Sequence, residues 1–325
     1  MALLGLPVGF LFGYCLQRGG FCMNSAFREV LFSRDSRLLK AYGIALLVQM
    51  AVLVSLGDLL EFQPAAPPVW WLAAALGGFV FGAGMVLARG CTSGNFYRLG
   101  EGLIGAYVVV VVFLLGILVT DAGLLAPLRL ALREPRLSMP PTVDGALGID
   151  PAWLVLILGL LLVFWILRGP RGDADKGRWH WMETGLAIGL VAALAWVVSS
   201  LTGRYYGLSM IQPTLAWGRL FLLGDGQLIN WSAFVLLAIP LGAALGARKG
   251  GQLRWRLPYP TRILQQMGGG FMMGVGGSIA GGCNIGHSLS GVAAFSITSL
   301  IATVFIVLGC WSGVYVLFYR LKVAR

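Results

Sequence analysis

The chain has 325 residues, of which 58% are hydrophobic and only 11% charged, and its mean hydropathy is +0.83. A soluble globular chain typically has about 25% charged residues, so this composition excludes a soluble domain and indicates a membrane protein. The formal net charge of +11 does not indicate a nucleic-acid partner, because the basic residues cluster in short loops between apolar runs, as is typical of membrane proteins.

Apolar runs recur along the chain, each of roughly the 20 residues that a helix needs to cross a bilayer. They predict an all-α polytopic membrane protein with about nine transmembrane helices plus short re-entrant segments. In chain order the predicted spans are 2–17, 38–60, 69–88, 100–126, 152–168, 181–201, 228–247, 262–280 and 289–319. The first lacks a basic leader and a small-residue cleavage site, so it is interpreted as a retained helix. The interrupted apolar stretch 205–223 is predicted to re-enter the membrane without crossing it.

A glycine and cysteine pattern recurs at a fixed spacing, with a thiol nine residues after the second glycine of a Gly-x3-Gly motif. The three copies are Gly9 and Gly13 before Cys22, Gly78 and Gly82 before Cys91, and Gly270 and Gly274 before Cys283. A fourth copy, Gly185 and Gly189, places Val198 at the same offset. Helix packing explains glycines at this spacing, but it does not explain three cysteines at one offset. Each copy therefore predicts a helix that breaks into a Gly-rich turn beside a reactive group, which is typical of a substrate path.

The distribution of basic residues predicts the orientation. Nineteen of the 24 Lys and Arg residues fall on one side of the predicted spans and five on the other. The N-terminus is therefore expected outside the cell and the C-terminus in the cytoplasm. In that orientation residues 1–150 and 181–325 form two halves of inverted topology, with 151–180 as a connecting helix and cytoplasmic loop, all within one integral membrane domain. Inverted repeats are typical of transporters.

The chemistry of the breaks indicates a soft anion as substrate. A thiol is a soft, polarizable group and a weak hydrogen-bond donor, and helix N-termini favour anions. Cys22, Cys91 and Cys283 are the predicted substrate-binding relay, whereas Cys15 and Cys310 lie in apolar helices without a Gly-rich break. Candidate supporting residues are the polar and basic side chains near the three thiols: Arg18, Asn24, Arg28, Arg89, Asn95, Arg98, Asn284 and His287. Neither a metal site nor a cofactor is predicted.

Three segments carry a family resemblance. They are GFLFGYCLQRGGFCMNSAFREVLF, GGFVFGAGMVLARGCTSGNFYRLGEG and GGGFMMGVGGSIAGGCNIGHSLSG, and they resemble the sulfur-transport repeats of the YeeE/YedE family. The resemblance covers essentially the whole chain. It implies thiosulfate uptake across the bacterial inner membrane, with the ion handed along three cysteines through S–H hydrogen bonds, at positions that match Cys22, Cys91 and Cys283. It also implies a cytoplasmic TusA-like sulfur-carrier partner, in a protein otherwise surrounded by membrane lipid.

Other functions stay open at this point. Selenium compounds are an alternative cargo, because other branches of the family are linked to selenium metabolism. A membrane thiol-redox protein is a second alternative, although without a CxxC motif no neighbouring resolving thiol is expected. A soft-metal transporter is a third, for which Met23, Met85, Met272 and Met273 lie near the breaks. The sequence does not give the energy coupling, the choice between a channel and alternating access, or the oligomeric state.

Overall fold

The chain folds into a bundle of helices, described by a computed structural model over residues 1–60, 62–168 and 177–320. A short 3₁₀ turn, Ala2–Leu4, precedes the first helix. The α-helices are α1 Gly5–Gly19, α2 Met23–Phe32, α3 Arg37–Leu60, α4 Trp71–Leu87, α5 Thr92–Gly100, α6 Ile104–Asp121, α7 Ala126–Arg133, α8 Val143–Leu147, α9 Pro151–Arg168, α10 Trp181–Leu201, α11 Ile211–Leu223, α12 Trp231–Lys249, α13 Pro260–Ala280 and α14 Ile297–Val314. Two π-helical segments, Ile285–Gly291 and Tyr315–Arg320, flank α14.

The prediction of an all-α polytopic membrane protein is confirmed. Within the described ranges, seven helical stretches are long and apolar enough to cross a membrane: α3, α4 continuing through α5, α6, α9, α10, α12 and α14. The predicted count of nine spans is not confirmed, since α1 and α13 are not among the seven. Arg171, Lys176, Lys322 and Arg325, which contribute to the predicted orientation, lie outside the described residues, as does part of the predicted cytoplasmic loop.

The same order of elements occurs four times along the chain. A long helix with a Gly-x3-Gly motif is followed by a break, a short helical segment and a second long helix. The four units are α1–α3, α4–α6, α10–α12 and α13–α14 with the π segment Ile285–Gly291, while α9 stands between the second and third. Helix α9 packs on α3, and none of its residues is fully buried. The predicted inverted halves, 1–150 and 181–325, would each contain two such units, and this division stays a prediction.

Units that are distant in sequence pack against one another. The first unit pairs with the third through α1·α12, α3·α10 and α1·α10, and the second pairs with the fourth through α4·α14, α6·α13 and α4·α13. The same three types of contact therefore form twice. Each half of the chain supplies one unit to each pair, so neither half can complete its packing alone.

The Gly-x3-Gly motifs mark the closest helix contacts. A methyl group on Gly9 would overlap the carbonyl of Val235 in α12, and one on Gly82 would overlap that of Ile306 in α14. Gly274 lies in the same way against Phe113 of α6, and Gly185 lies against Ala41 of α3. Small residues let helix backbones approach this closely in a membrane. All four motifs thus pack the first long helix of one unit against the second long helix of its partner unit.

Candidate functional site

Two of the three predicted relay thiols are in direct contact. Cys22 precedes the first turn of α2, and Cys91 precedes the first turn of α5. The Cys22 thiol donates to the Cys91 sulfur over 3.5 Å, and both side chains are buried. The absence of a CxxC motif therefore misled the sequence analysis, which expected no neighbouring thiol. Residues 69 apart in sequence form the pair.

A left-handed turn precedes each of the three thiols by two residues. Gly20 and Gly281 adopt φ values of 58° and 90° at this position, which glycine tolerates because it has no Cβ. In the second unit the position is Arg89, with φ 59°, a conformation that costs a non-glycine residue about 1–2 kcal/mol. Arg98 compensates, because its guanidinium donates to the Arg89 carbonyl over 2.5 Å. The three breaks are thus one local structure, held in the second unit by an arginine.

Residues of α5 fix the Cys22–Cys91 pair in place. The Gly94 N–H donates to the Cys91 sulfur over 3.3 Å, and the Ser93 hydroxyl lies 3.4 Å from it. The Asn95 amide donates to the carbonyls of Gly90 and Cys91, both over 3.0 Å. Asn95, a predicted supporting residue, therefore holds the break closed. The N-termini of α2 and α5 both meet at the pair, where their free N–H groups favour an anion.

Cys283 lies in a second cluster. Its buried sulfur lies between the left-handed turn at Gly281 and the π-helical segment Ile285–Gly291. The Tyr206 hydroxyl donates to the Gly286 carbonyl over 2.8 Å and closes the same turn. Among the described residues no hydrogen bond joins Cys283 to either of the other two relay thiols. The three predicted relay cysteines therefore form a contacting pair and a separate third thiol.

The third unit, α10–α12, departs from the position predicted by counting. Val198, placed at the thiol offset by counting, lies inside α10, which continues to Leu201. The chain breaks after α10, and α11 begins only after Met210. Met210 therefore occupies the place before the short helix that Cys22 and Cys91 occupy in their units, and it is fully buried. All four breaks have a sulfur-containing residue, and that of the third unit is a thioether.

Two polar residues beside Cys283 have different environments. Both ring nitrogens of His287 are engaged, with Nδ1 3.0 Å from the Ser299 hydroxyl and Nε2 3.2 Å from the Ala280 carbonyl. Because a carbonyl only accepts, Nε2 is the protonated nitrogen and Nδ1 accepts from Ser299. Asn284 is fully buried, yet both polar atoms of its amide lack a hydrogen-bond partner among the described residues. Such an orphaned amide requires an explanation, and a bound polar ligand supplies one.

The predicted supporting arginines separate into two groups. Arg28, Arg89 and Arg98 line one cavity next to the Cys22–Cys91 pair. Arg28 also forms an ion pair with Glu29 over 3.5 Å. Arg18 lies elsewhere, at the end of α1 against Gly250, and the structure does not bring it to the thiols.

Glu101 follows α5, outside the spanning stretch. Gln17 donates to its carboxylate over 3.3 Å and also to Gln252 over 2.7 Å. Burial raises the pKa of the Glu101 carboxyl above its ordinary value, against the opposing hydrogen bond from Gln17. These contacts link the turn after α5 to α1 and to the loop after α12.

The two cysteines set aside by the sequence analysis are both buried, and one has a polar partner. The Cys310 thiol of α14 donates to the Asn24 amide oxygen over 3.6 Å, so this predicted supporting residue is bonded to α14. Cys15 lies within α1. All five cysteines are free thiols.

Several residues near the Cys22–Cys91 pair and near Cys283 were not predicted from the sequence. Met210 and Tyr206 come from the interrupted stretch 205–223, whose register could not be counted from glycines. Arg133 of α7 donates to the carbonyls of Ser278 and Ile279, over 2.6 and 3.1 Å, at the end of α13 near Cys283. The one feature of the sequence that could have indicated Arg133 is its position on the predicted outer side, where few basic residues occur.

The chain is similar in sequence to known proteins over nearly its whole length. A family model described as sulphur transport matches residues 18–312. The thiosulfate transporter TsuA of Spirochaeta thermophila is 37% identical to this chain over an alignment of 331 positions, gaps included. The alignment covers 97% of this chain and 99% of that protein. The thiosulfate transporter TsuA of Escherichia coli is 33% identical over 98% of this chain and 96% of its own length. The probable transporter YedE of Salmonella typhimurium is 35% identical over 101 residues, 30% of this chain and 24% of that protein.

Proposed function

The chain belongs to the sulphur-transport family and is a transporter, and from this premise we propose that it carries thiosulfate into the bacterial cell. The ion passes the inner membrane along a path that contains Cys283, Cys91 and Cys22. The N-terminus lies outside and the C-terminus in the cytoplasm, which places Cys283 toward the outer face. The two inverted halves meet around this path, and a cytoplasmic TusA-like carrier receives the sulfur.

The contact between Cys22 and Cys91 is the observation that carries the proposal. Their 3.5 Å separation leaves two S–H donors side by side, at the junction of two helix N-termini. Thiosulfate has a terminal sulfur that accepts from soft S–H donors and a dianionic charge that helix N-termini favour. Sulfate has the charge but no terminal sulfur. The site therefore selects for the sulfur end of the ion.

Cys283 forms a first station on the same path. Its buried sulfur lies next to Asn284 in the chain, and the Asn284 amide has no hydrogen-bond partner among the described residues. An incoming anion would find an amide donor beside a thiol there. The ion would then be handed from Cys283 to the Cys91–Cys22 pair, each thiol replacing part of the hydration that the ion has lost.

The direct test is uptake in cells that lack other sulfate and thiosulfate importers. We expect uptake of thiosulfate but not of sulfate, with sulfite and selenite as further substrates to compare. Cys91→Ala should abolish uptake while the protein still inserts, because it removes half of the thiol pair. Cys15→Ala is the matched control, a buried thiol of α1 outside the three breaks, and it should transport normally.

The outcomes separate the alternatives. Selenite uptake in preference to thiosulfate would replace the proposed substrate with a selenium oxyanion. Full activity of a well-expressed Cys91→Ala protein would remove the thiol relay from the mechanism.

A further inference from the structure

A cavity of about 570 Å³ opens beside the Cys22–Cys91 pair and is lined by five arginines. We call it the arginine vestibule, and its basic residues are Arg28, Arg89, Arg98, Arg256 and Arg262. Among the described residues that line it, none is an Asp or a Glu. The arginine vestibule is therefore a concentrated positive site without a carboxylate in its wall.

The arginines come from five separate parts of the chain. Arg28 lies on α2, Arg98 on α5, and Arg262 in the first turn of α13, whereas Arg89 and Arg256 lie in the segments after α4 and α12. Arg28, Arg98 and Arg262 line the same cavity as Arg89, so like charges converge there. Such convergence costs free energy in the empty protein, and a bound anion removes that cost.

The wall of the arginine vestibule is fixed by hydrogen bonds. The Arg256 N–H donates to the Gly102 carbonyl over 3.2 Å, and the Arg256 carbonyl accepts from Ile104 over 3.1 Å. Arg262 stacks on the Tyr259 ring at 5.5 Å. The segment after α12 is thus attached to the turn between α5 and α6. The backbone bonds fix the position of Arg256 in the wall, and the stacking holds the Arg262 guanidinium, a group whose planar donors suit an oxyanion.

The arginine vestibule borders the thiol pair. Asn95 and Arg98 line the cavity, while Asn95 also bonds to the Cys91 carbonyl and Arg98 to the Arg89 carbonyl in the same break. The charge of Arg98 acts on both Cys22 and Cys91. Asn95 and Arg98 therefore belong both to the break that holds Cys91 and to the wall of the arginine vestibule.

We propose that the arginine vestibule is a second anion site, in series with the thiol pair, for a tetrahedral dianion. This inference rests on the proposed function, in which the occupant is thiosulfate leaving the path. The two sites recognise opposite ends of the ion: the thiols select its sulfur and the arginines bind its oxygens. The arginine vestibule therefore binds sulfate and thiosulfate alike, and selection between them occurs at the thiols.

The test is anion binding by the purified, full-length protein in detergent, measured by calorimetry with sulfate and with thiosulfate. The variant Arg256→Gln/Arg262→Gln should bind sulfate at least tenfold more weakly, while still unfolding at nearly the wild-type temperature. Arg254→Gln is the matched control, because Arg254 lies on the same segment but does not line the cavity. Its sulfate affinity should be unchanged. Cys22→Ser/Cys91→Ser should also keep wild-type sulfate affinity.

Uptake measurements then place the site on the path. The double arginine variant should take up thiosulfate severalfold more slowly, with its preference for thiosulfate over sulfate unchanged. Unchanged sulfate binding in the double arginine variant would overturn the inference. Loss of sulfate binding on adding phosphatidylglycerol to the micelles would assign the cavity to a lipid headgroup and also overturn it. Wild-type protein that binds sulfate through these arginines but transports no thiosulfate would instead refute the proposed function.

Discussion

Adding one methyl group at Gly94 should separate the two contacting thiols without unfolding the protein. A Cβ at Gly94 would lie 2.8 Å from the Cys22 sulfur and 3.3 Å from the Cys91 sulfur. The first distance is about 1 Å short of van der Waals contact, so the Cys22 sulfur must move by roughly that amount. Because this sulfur ends a rotatable side chain, it can move without displacing the backbone. The 3.5 Å contact with Cys91 would then be lost.

The effect on stability should be small or favourable. Gly94 lies in α5, and alanine is about 0.5–1 kcal/mol better than glycine within a helix. This gain offsets much of the crowding at the sulfur. We therefore expect thiosulfate uptake by Gly94→Ala to fall at least tenfold, with a melting temperature within a few degrees of wild type. Uptake from radiolabelled thiosulfate in proteoliposomes, with a thermal melt of the same preparation, measures both quantities.

Two further glycine variants complete the experiment. Gly268→Ala is the matched control, because Gly268 lies in α13 and a Cβ there would meet nothing within 4 Å. It should transport normally and be slightly more stable. Gly82→Ala should fail to fold, since its methyl would overlap the carbonyl of Ile306 in α14. A stable Gly94→Ala protein with wild-type uptake would refute the argument that the contact between the thiols matters.

Three other predictions use different parts of the structure. Met210→Leu conserves volume and should cost less than about 1.5 kcal/mol in a thermal melt, yet slow thiosulfate uptake by removing the fourth sulfur. A membrane-impermeant thiol reagent added outside should label Cys283 before Cys22. Mass spectrometry of the labelled protein should show that thiosulfate protects Cys283 better than sulfate does. Equal protection by the two ions would mean that the protein selects them by charge and size alone. The raised pKa of Glu101 means that its ionised form destabilises the folded state, so wild-type stability should rise as pH falls through that pKa. Glu101→Gln should therefore melt higher than wild type at pH 8 and vary less between pH 8 and pH 5, and an unchanged pH profile would contradict this sign.

The glycine spacing predicted three of the four breaks because the same turn ends the first helix in each. Gly20 and Gly281 reach the left-handed conformation without strain, and Arg89 is held there by Arg98. The corresponding position in the third unit is Trp196, whose side chain opposes that conformation. Helix α10 therefore continues to Leu201, and a left-handed glycine follows only at Gly203. Counting residues could not reveal this extension.

The contact between Cys22 and Cys91 could not be predicted from the sequence, and the reason is different. It depends on how two breaks from different units face each other, and no local pattern specifies that arrangement. Spacing gave the class of residue at each break, and tertiary packing decided which breaks meet. The same holds for the arginine vestibule, whose five members looked like ordinary basic residues at helix ends.

The pairing of units that are distant in sequence limits when their helices can pack during synthesis. The hydrogen bond between Gln17 and Gln252 joins residues 235 positions apart. At about 5–20 residues per second, the ribosome needs roughly 12–47 s to make the chain between them. During that interval α1 has no α12 to pack against, and the glycine face that α12 covers in the folded protein lacks its partner. Packing of α1 on α12 therefore cannot begin before elongation has passed α12, so synthesis sets the earliest time at which the first and third units can pair.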